Sequence, residues 1–178
     1  MKQIVVLLAG LLVAKLATAQ LQINPVIKPY GSVFADVPGK SVWPDSATHF
    51  KVVIEINKSD TNSTEVNAGL DLVARFLNLL EVDGVGANRR QIVVLFHNAG
   101  SYILQTDDAF KSRYGHTNPN TALLSALQAA GVNMMVCGQS TVKRQLPPQV
   151  LHPAVRIASS YLTAHTWLQL KGYAILSF

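Results

Sequence analysis

Gln91-Ile-Val-Val-Leu-Phe96 is a run of mostly aliphatic residues that stops abruptly at the polar pair His97-Asn98. A run with no polar alternation is typical of a strand covered on both faces of a parallel sheet. We therefore predict a buried strand here, with polar side chains following its carboxyl end.

Similar apolar runs lie on both sides of this strand, and segments with helical spacing separate them. Further strands are predicted at 51–56, 132–136, 155–157 and 173–177. Helices are predicted to begin at Ser63 or Thr64, at Asn118 or Asn120, and at Ser159 or Ser160, with shorter ones at 107–113 and 140–145. This alternation predicts an α/β fold, a three-layer α/β/α flavodoxin-like domain with a mostly parallel five-stranded sheet. The strand order stays open.

Residues 1–19 have the features of a cleaved signal peptide. A short basic start precedes an apolar run of 11 residues at 4–14, and Ala17-Thr18-Ala19 offers small residues to a signal peptidase. Because a membrane span needs about 20 apolar residues, no stable membrane insertion is expected. The expected location is therefore the periplasm or the exterior.

Residues 20–48 are predicted to form a proline-rich N-terminal arm, followed by one domain over residues 49–178. The prolines of the arm are Pro25, Pro29, Pro38 and Pro44. Prolines at this density favour an extended chain over a helix. The arm either wraps the domain, reaches a neighbouring subunit or is a surface leader, and Phe34 and Trp43 are its candidate anchors.

The chain of 178 residues has a net charge of +5 and a single cysteine, Cys137. Its basic residues are scattered rather than clustered, so no nucleic-acid partner is predicted. Cysteines of exported domains usually pair as disulfides. A lone cysteine is therefore a buried inert residue, a link to another chain or a reactive thiol.

Cys137 ends the predicted strand at 132–136 and precedes Gly138 and a short helix. The positive end of a helix favours a thiolate, and glycine permits close approach of a substrate or partner. Cys137 is thus the candidate nucleophile, the alternative being a small core residue. The backbone N–H of Gln139 is expected to line the same site.

His97 is the candidate partner of Cys137, as a base or as a cation that stabilises the thiolate. The alternative is a strand-end histidine bonded to backbone. Asn98, Gly100 and Ser101 are expected to supply backbone donors to the same crevice. The remaining histidines lack metal-ligand spacing and Gly84-Val-Gly86 is no dinucleotide loop, so no metal and no cofactor is predicted.

Four stretches together carry a family resemblance: His97-Asn-Ala-Gly100, Leu127-Gln-Ala-Ala-Gly131, Val136-Cys-Gly-Gln139 and Leu168-Gln-Leu-Lys-Gly-Tyr-Ala-Ile175. Over residues 51–178 the chain resembles the DsrE/DsrF-like (YchN-like) sulfur-relay family. The resemblance implies a three-layer α/β/α fold and assembly into homo-oligomers, as trimers or hexamers. It also implies that a cysteine matching Cys137 accepts sulfane sulfur as a persulfide and hands it on. The signal peptide and arm favour an exported branch.

Three functions are therefore considered. The first is an exported, sulfurtransferase-like sulfur carrier, for which one cysteine suffices because the second thiol belongs to a donor or acceptor protein. The second is a non-catalytic oligomeric ligand-binding or assembly domain. The third is a cysteine hydrolase with a Cys137–His97 dyad.

Overall fold

The computed structural model describes residues 20–177, and the predicted signal peptide lies outside the described residues. The strands are β1 (Gln22–Ile23), β2 (Val33–Phe34), β3 (Phe50–Ile56), β4 (Arg90–Phe96), β5 (Asn133–Cys137), β6 (Val155–Ala158) and β7 (Ala174–Leu176). The α-helices are α1 (Ala68–Val82), α2 (Asp107–Tyr114), α3 (Thr121–Ala129), α4 (Gly138–Lys143) and α5 (Tyr161–Leu170).

The main sheet has five strands in the order β6-β5-β4-β3-β7, and all of its pairings are parallel. The chain adds strands in one direction from β3 to β6 and then returns to place β7 on the other side of β3. This sheet, flanked by helices, confirms the predicted α/β fold class. β1 and β2 form a separate antiparallel pair.

Alternate side chains of the strands face opposite layers. Val52 and Ile54 pack in the large core with α1 and α3, whereas Val53 packs with α5 on the other face. The second core is smaller, and Ala164 and Leu168 are the buried residues that α5 contributes to it. Both faces are therefore covered, which explains why the strands lack a polar side.

Helix α1 begins later than expected. The prediction that Ser63 or Thr64 caps it is wrong, because Asn67 occupies the N-cap and its side chain accepts from the N–H of Leu70. Ser63 instead accepts from the N–H of Glu65 in a local turn. The cap of α5 is Ser160, one of the two predicted residues.

The N-terminal arm lies against α1. Asn78 is fully buried, and its carboxamide accepts from the N–H groups of Val26 and Ile27 and donates to the carbonyls of Tyr30 and Gly31. Ile27 joins the large core. The arm therefore wraps its own domain through residues 26–31.

The expected anchors of the arm are wrong. Phe34 and Trp43 are 45% and 58% exposed, so neither is held in a core. Gly31 makes the close approach of the arm possible, because a Cβ there would lie 2.1 Å from the backbone nitrogen of Arg75.

Among residues 20–177, no helix combines the length and apolar character that crossing a bilayer demands.

Candidate functional site

Cys137 is the last residue of β5 and the N-cap of α4. Its neighbour across the sheet on one side is Ala158 of β6. On the other side, Phe96 pairs with Val136, so His97 lies level with Cys137 at the carboxyl ends of two adjacent strands. The fold thus brings the two principal candidates together, as expected for the ends of neighbouring parallel strands.

The pKa of the Cys137 thiol lies below its ordinary value. Burial is the largest single influence and raises the pKa, but hydrogen bonds from the Ser140 hydroxyl and from the N–H groups of Ser140, Tyr161 and Gln139 outweigh it. The Ser140 oxygen also accepts from the N–H of Asn98 at 3.0 Å, which leaves its own proton free for the sulfur. These donors favour the thiolate.

Cys137 borders a cavity of about 330 Å³ at the carboxyl edge of the sheet. It is lined by His97, Asn98, Cys137, Gln139, Ser140, Lys143, Arg144, Ser160, Tyr161 and Leu162. Cys137 itself is only 5% exposed. A group entering this cavity can therefore reach a thiol that is otherwise shielded from water.

His97 is directed at groups other than the sulfur. Its Nδ1 lies 3.2 Å from the side-chain amide nitrogen of Asn98. Nε2 in turn lies 3.9 Å from a carboxylate oxygen of Glu55. Among residues 20–177, the groups that shift the pKa of Cys137 do not include His97. This geometry gives no support to a Cys137–His97 dyad.

Three residues that the sequence analysis did not select form a cluster with His97. The Tyr161 ring stacks on His97 with centroids 3.9 Å apart, and its hydroxyl donates to Glu55 at 2.7 Å. His165 Nε2 lies 2.8 Å from Glu55 Oε1 but lacks hydrogen-bond alignment. The cluster fixes His97 and places the N–H of Tyr161 against the thiol.

The pKa values of this cluster reflect its burial. Burial lowers the pKa of His97, with a smaller contribution from His165, while the nearby Glu55 carboxylate opposes the change. Burial together with the hydrogen bond and charge of Glu55 raises the pKa of Tyr161 to about 12. At neutral pH the Tyr161 hydroxyl therefore remains a donor.

Signals for all three of these residues are present in the sequence. Glu55 is an acid in a strand whose other residues, apart from Lys51, are apolar, and an acid is rarely buried unless it is paired. Tyr161 and His165 lie four residues apart on α5, so they share one helix face. Their approach to Cys137 depends on how α5 packs, which no local pattern records.

The other predicted site residues lie in different places. Asn98 and Gln139 line the cavity of Cys137, whereas Gly138 lines the adjoining cavity. Gly100 and Ser101 do not line the cavity. A Cβ at Gly100 would lie 2.2 Å from the carbonyl oxygen of Ile56, and Ser101 is fully buried.

The close approach expected at Gly138 comes from the chain itself. A Cβ there would lie 2.7 Å from the carbonyl oxygen of Ala158 on β6. The glycine thus lets α4 start directly against the neighbouring strand.

In the part of the chain that the structure describes, no group of three or more His, Cys, Asp or Glu side chains is arranged to hold a metal ion.

Fold and site together define a class: a parallel α/β domain with one acidic thiol at the carboxyl end of a strand. The model of the DsrE/DsrF-like family matches residues 51–178. This chain therefore belongs to the DsrE/DsrF-like family.

Solved structures share the fold of this chain. The YchN protein from E. coli is similar with a TM-score of 0.52 and 21% identity, and the match covers 72% of this chain and 99% of that one. A protein of unknown function from Methanobacterium thermoautotrophicum, MTH1491, has a TM-score of 0.50 and 20% identity with the same coverage. No curated protein sequence matches this chain.

Proposed function

We propose that this protein is an exported sulfur carrier that accepts sulfane sulfur on Cys137 as a persulfide and passes it to the thiol of a partner. The observation that carries the proposal is the setting of the thiol, whose hydrogen-bond donors lower its pKa beside an open cavity. Membership of the DsrE/DsrF-like family supports it, because sulfur relay is plausible for that family.

The loading step is a balanced exchange. The Cys137 thiolate attacks the outer sulfur of a donor persulfide R–S–SH, and a new S–S bond forms as the old one breaks. The donor leaves as the thiolate R–S⁻, and the proton of the outer sulfur stays on the new Cys137 persulfide. The donors around Cys137 stabilise negative charge on whichever sulfur holds it.

Mass spectrometry after incubation with a sulfane donor tests this function. We expect a gain of about 32 Da, the mass of one sulfur atom, on the peptide that contains Cys137. Cyanide, which removes sulfane sulfur as thiocyanate, should restore the original mass. The Cys137→Ser variant is the control and should gain nothing. An unmodified thiol, under conditions that load a known carrier, would contradict the proposal and favour the ligand-binding alternative.

We also propose export and self-association, on the signal-peptide pattern of residues 1–19 and on the family resemblance respectively. Expression of the full chain in a Gram-negative bacterium should yield a periplasmic product whose intact mass lacks residues 1–19. Light scattering on the purified protein should give three or six times the monomer mass. A full-length cytoplasmic product would contradict export, and a monomer would contradict self-association.

A further inference from the structure

Charge is distributed very unevenly along this chain. All ten acidic residues lie before residue 109, whereas residues 109–178 contain six Lys and Arg and no Asp or Glu. This acid-free segment includes β5, α4, β6 and α5, the elements that surround Cys137. Glu55, a carboxylate of the preceding part of the chain, is held by Tyr161 and does not line the cavity.

The cavity of Cys137 continues into two further cavities over β6. One, of about 670 Å³, shares Gln139 with it and extends to Pro148. The other, of about 500 Å³, lies between β6 and α5. We call the three together the β6 face. Lys143, Arg144 and Arg156 line it, and within the described residues no acidic side chain does.

The β6 face also carries exposed apolar side chains and the free edge of a strand. Val142, Ile157 and Trp167 line it and are 79%, 45% and 51% exposed. β6 is an edge strand of the main sheet. Exposed apolar clusters and free strand edges mark surfaces where another chain docks. The thiol thus opens onto a surface suited to a protein rather than to a small ion alone.

We propose that the β6 face docks a thiol protein whose own cysteine is surrounded by acidic and apolar side chains. The proposal rests on the proposed function and names the class of its donor or acceptor. Charge complementarity favours this occupant over a second copy that docks through its own β6 face, because that arrangement would set the same cations against each other. A small inorganic anion would satisfy the cations but leave the apolar cavities beside Val142 and Trp167 uncovered.

The docked partner exchanges sulfur with Cys137 as described above. The thiolate of Cys137 attacks the outer sulfur of the partner persulfide, and the partner leaves as a thiolate. Lys143 and Arg144 at the cavity stabilise the negative charge on the departing sulfur. The reverse reaction delivers sulfur to an acceptor of the same surface type.

Two synthetic peptides test the charge preference. Both peptides carry one cysteine persulfide between leucines. In the acidic peptide Asp and Glu flank this segment, and in the basic peptide Lys flanks it. At low ionic strength we expect the acidic peptide to load Cys137 at least about 10-fold faster, since steering raises on-rates by this order, and the advantage to fade as salt screens it. Equal loading by both peptides would overturn docking while leaving the proposed function intact. Loading by neither would overturn both.

Matched variants locate the docking surface. Lys143→Glu and Val142→Asp should each weaken the advantage of the acidic peptide at least about 3-fold, the order of effect of one exposed ion pair. The controls Lys111→Glu and Val42→Asp change exposed residues outside the β6 face and should leave it unchanged. Equal effects in variants and controls would overturn the proposal.

Binding without chemistry separates docking from transfer. Fluorescence anisotropy measures the affinity of peptides that carry serine in place of cysteine for the Cys137→Ser protein. The acidic peptide should still bind more tightly than the basic one. Adding Lys143→Glu to this protein should reduce the affinity for the acidic peptide. Thiosulfate or a DNA oligonucleotide that competes as well as the acidic peptide would overturn the protein partner in favour of a general anion site.

Discussion

The acidity of Cys137 comes from donors that two helices supply. Ser140 and Gln139 belong to α4, which follows Cys137 directly, whereas Tyr161 begins α5. Three of the four donors are backbone N–H groups, which a substitution leaves in place. The Ser140 hydroxyl is the exception, so it is the donor that can be removed alone.

Ser140→Ala should raise the pKa of the Cys137 thiol, because the side-chain donor that stabilises the thiolate is lost. We expect alkylation of Cys137 at neutral pH to slow several-fold and its pH midpoint to move upward. The rate of iodoacetamide labelling across pH measures this. Ser159→Ala, a change outside the donor set, should leave the midpoint where it is. An unchanged midpoint in Ser140→Ala would contradict the role of this hydroxyl.

His97 should make the protein less stable in acid. Burial lowers its pKa in the folded state, so the unfolded chain binds a proton more readily. Stability is therefore fully present above the ordinary histidine pKa of about 6.5 and is lost as pH falls through it toward the lower folded value. Urea unfolding between pH 7 and 5 measures the slope.

The variant His97→Gln should reduce the loss of stability in acid. It should not abolish the loss, because burial also lowers the pKa of His152. His49→Gln changes an exposed histidine and serves as the control. The same acid slope in wild type and His97→Gln would contradict this account.

At the scale of elements, the start of α1 depends on a contact beyond the helix. Asn67 caps it by accepting from Leu70, and its own N–H donates to the side chain of Asn120 at 2.8 Å. Ser63 and Thr64 are equally good capping types, yet neither occupies the N-cap. The long-range bond to Asn120 favours the later start.

Asn67→Ala should lower the free energy of unfolding by about 1 kcal/mol, the usual cost of losing a capping side chain. Ser63→Ala should cost much less, since its turn is exposed. Urea denaturation of both variants checks the difference. A larger loss in Ser63→Ala than in Asn67→Ala would place the cap where the sequence pattern predicted it.

The turn between β5 and α4 is tight because Gly138 has no side chain. The helix predicted at 140–145 starts two residues earlier, immediately after Cys137, and this start brings backbone donors to the sulfur. The close carbonyl of Ala158 leaves no room for a Cβ. Local packing at one residue thus sets both the helix start and the environment of the thiol.

Gly138→Ala should destabilise the protein by about 1–3 kcal/mol, the cost of overpacking, because α4 and β6 must move apart. The same movement should slow alkylation of Cys137. Gly86→Ala is the control, since the nearest contact of its added Cβ is 3.4 Å away and its φ is −68°. Thermal unfolding with equal losses in the two variants would contradict the steric argument.

At the scale of the whole molecule, the buried side chain of Asn78 joins the arm to the domain. Asn78 satisfies four backbone groups of residues 26–31, and Ile27 completes the large core beside α1. The arm is therefore part of the folded domain and lies against α1 at Asp71, Ala74 and Asn78.

Asn78→Ala should leave these backbone groups without partners and cost at least about 2 kcal/mol, since each buried unpaired group costs about 1–3 kcal/mol. Limited proteolysis should then cut within residues 26–31 faster than in the wild type. Asn88→Ala, on the exposed surface, should not change the cleavage rate. Protection of the arm in Asn78→Ala would show that Ile27 and the bond from the Gly31 N–H to Asp71 are enough to hold it.

Much of the site could be predicted because it follows from strand ends. Cys137 and His97 end adjacent strands, and the fold places them level with each other. Glu55, Tyr161 and His165 escaped prediction because their contacts join distant segments, the bond from Tyr161 to Glu55 spanning 106 residues. Gly100 was expected at the crevice, but its backbone packs directly against the backbone of Ile56 at the end of β3. Its position in the sequence, after the strand end at His97, does not reveal this contact.

The sequence by itself determined the alternation of strands and helices, the coverage of both sheet faces and the position of Cys137 at the end of a strand. These features depend on residue spacing along a few turns or pleats, where side chains select the local structure. Only the tertiary structure decided the strand order, the docking of the arm and the donor that Tyr161 brings to Cys137. Those depend on which distant surfaces pack best together, and this free energy belongs to the whole chain.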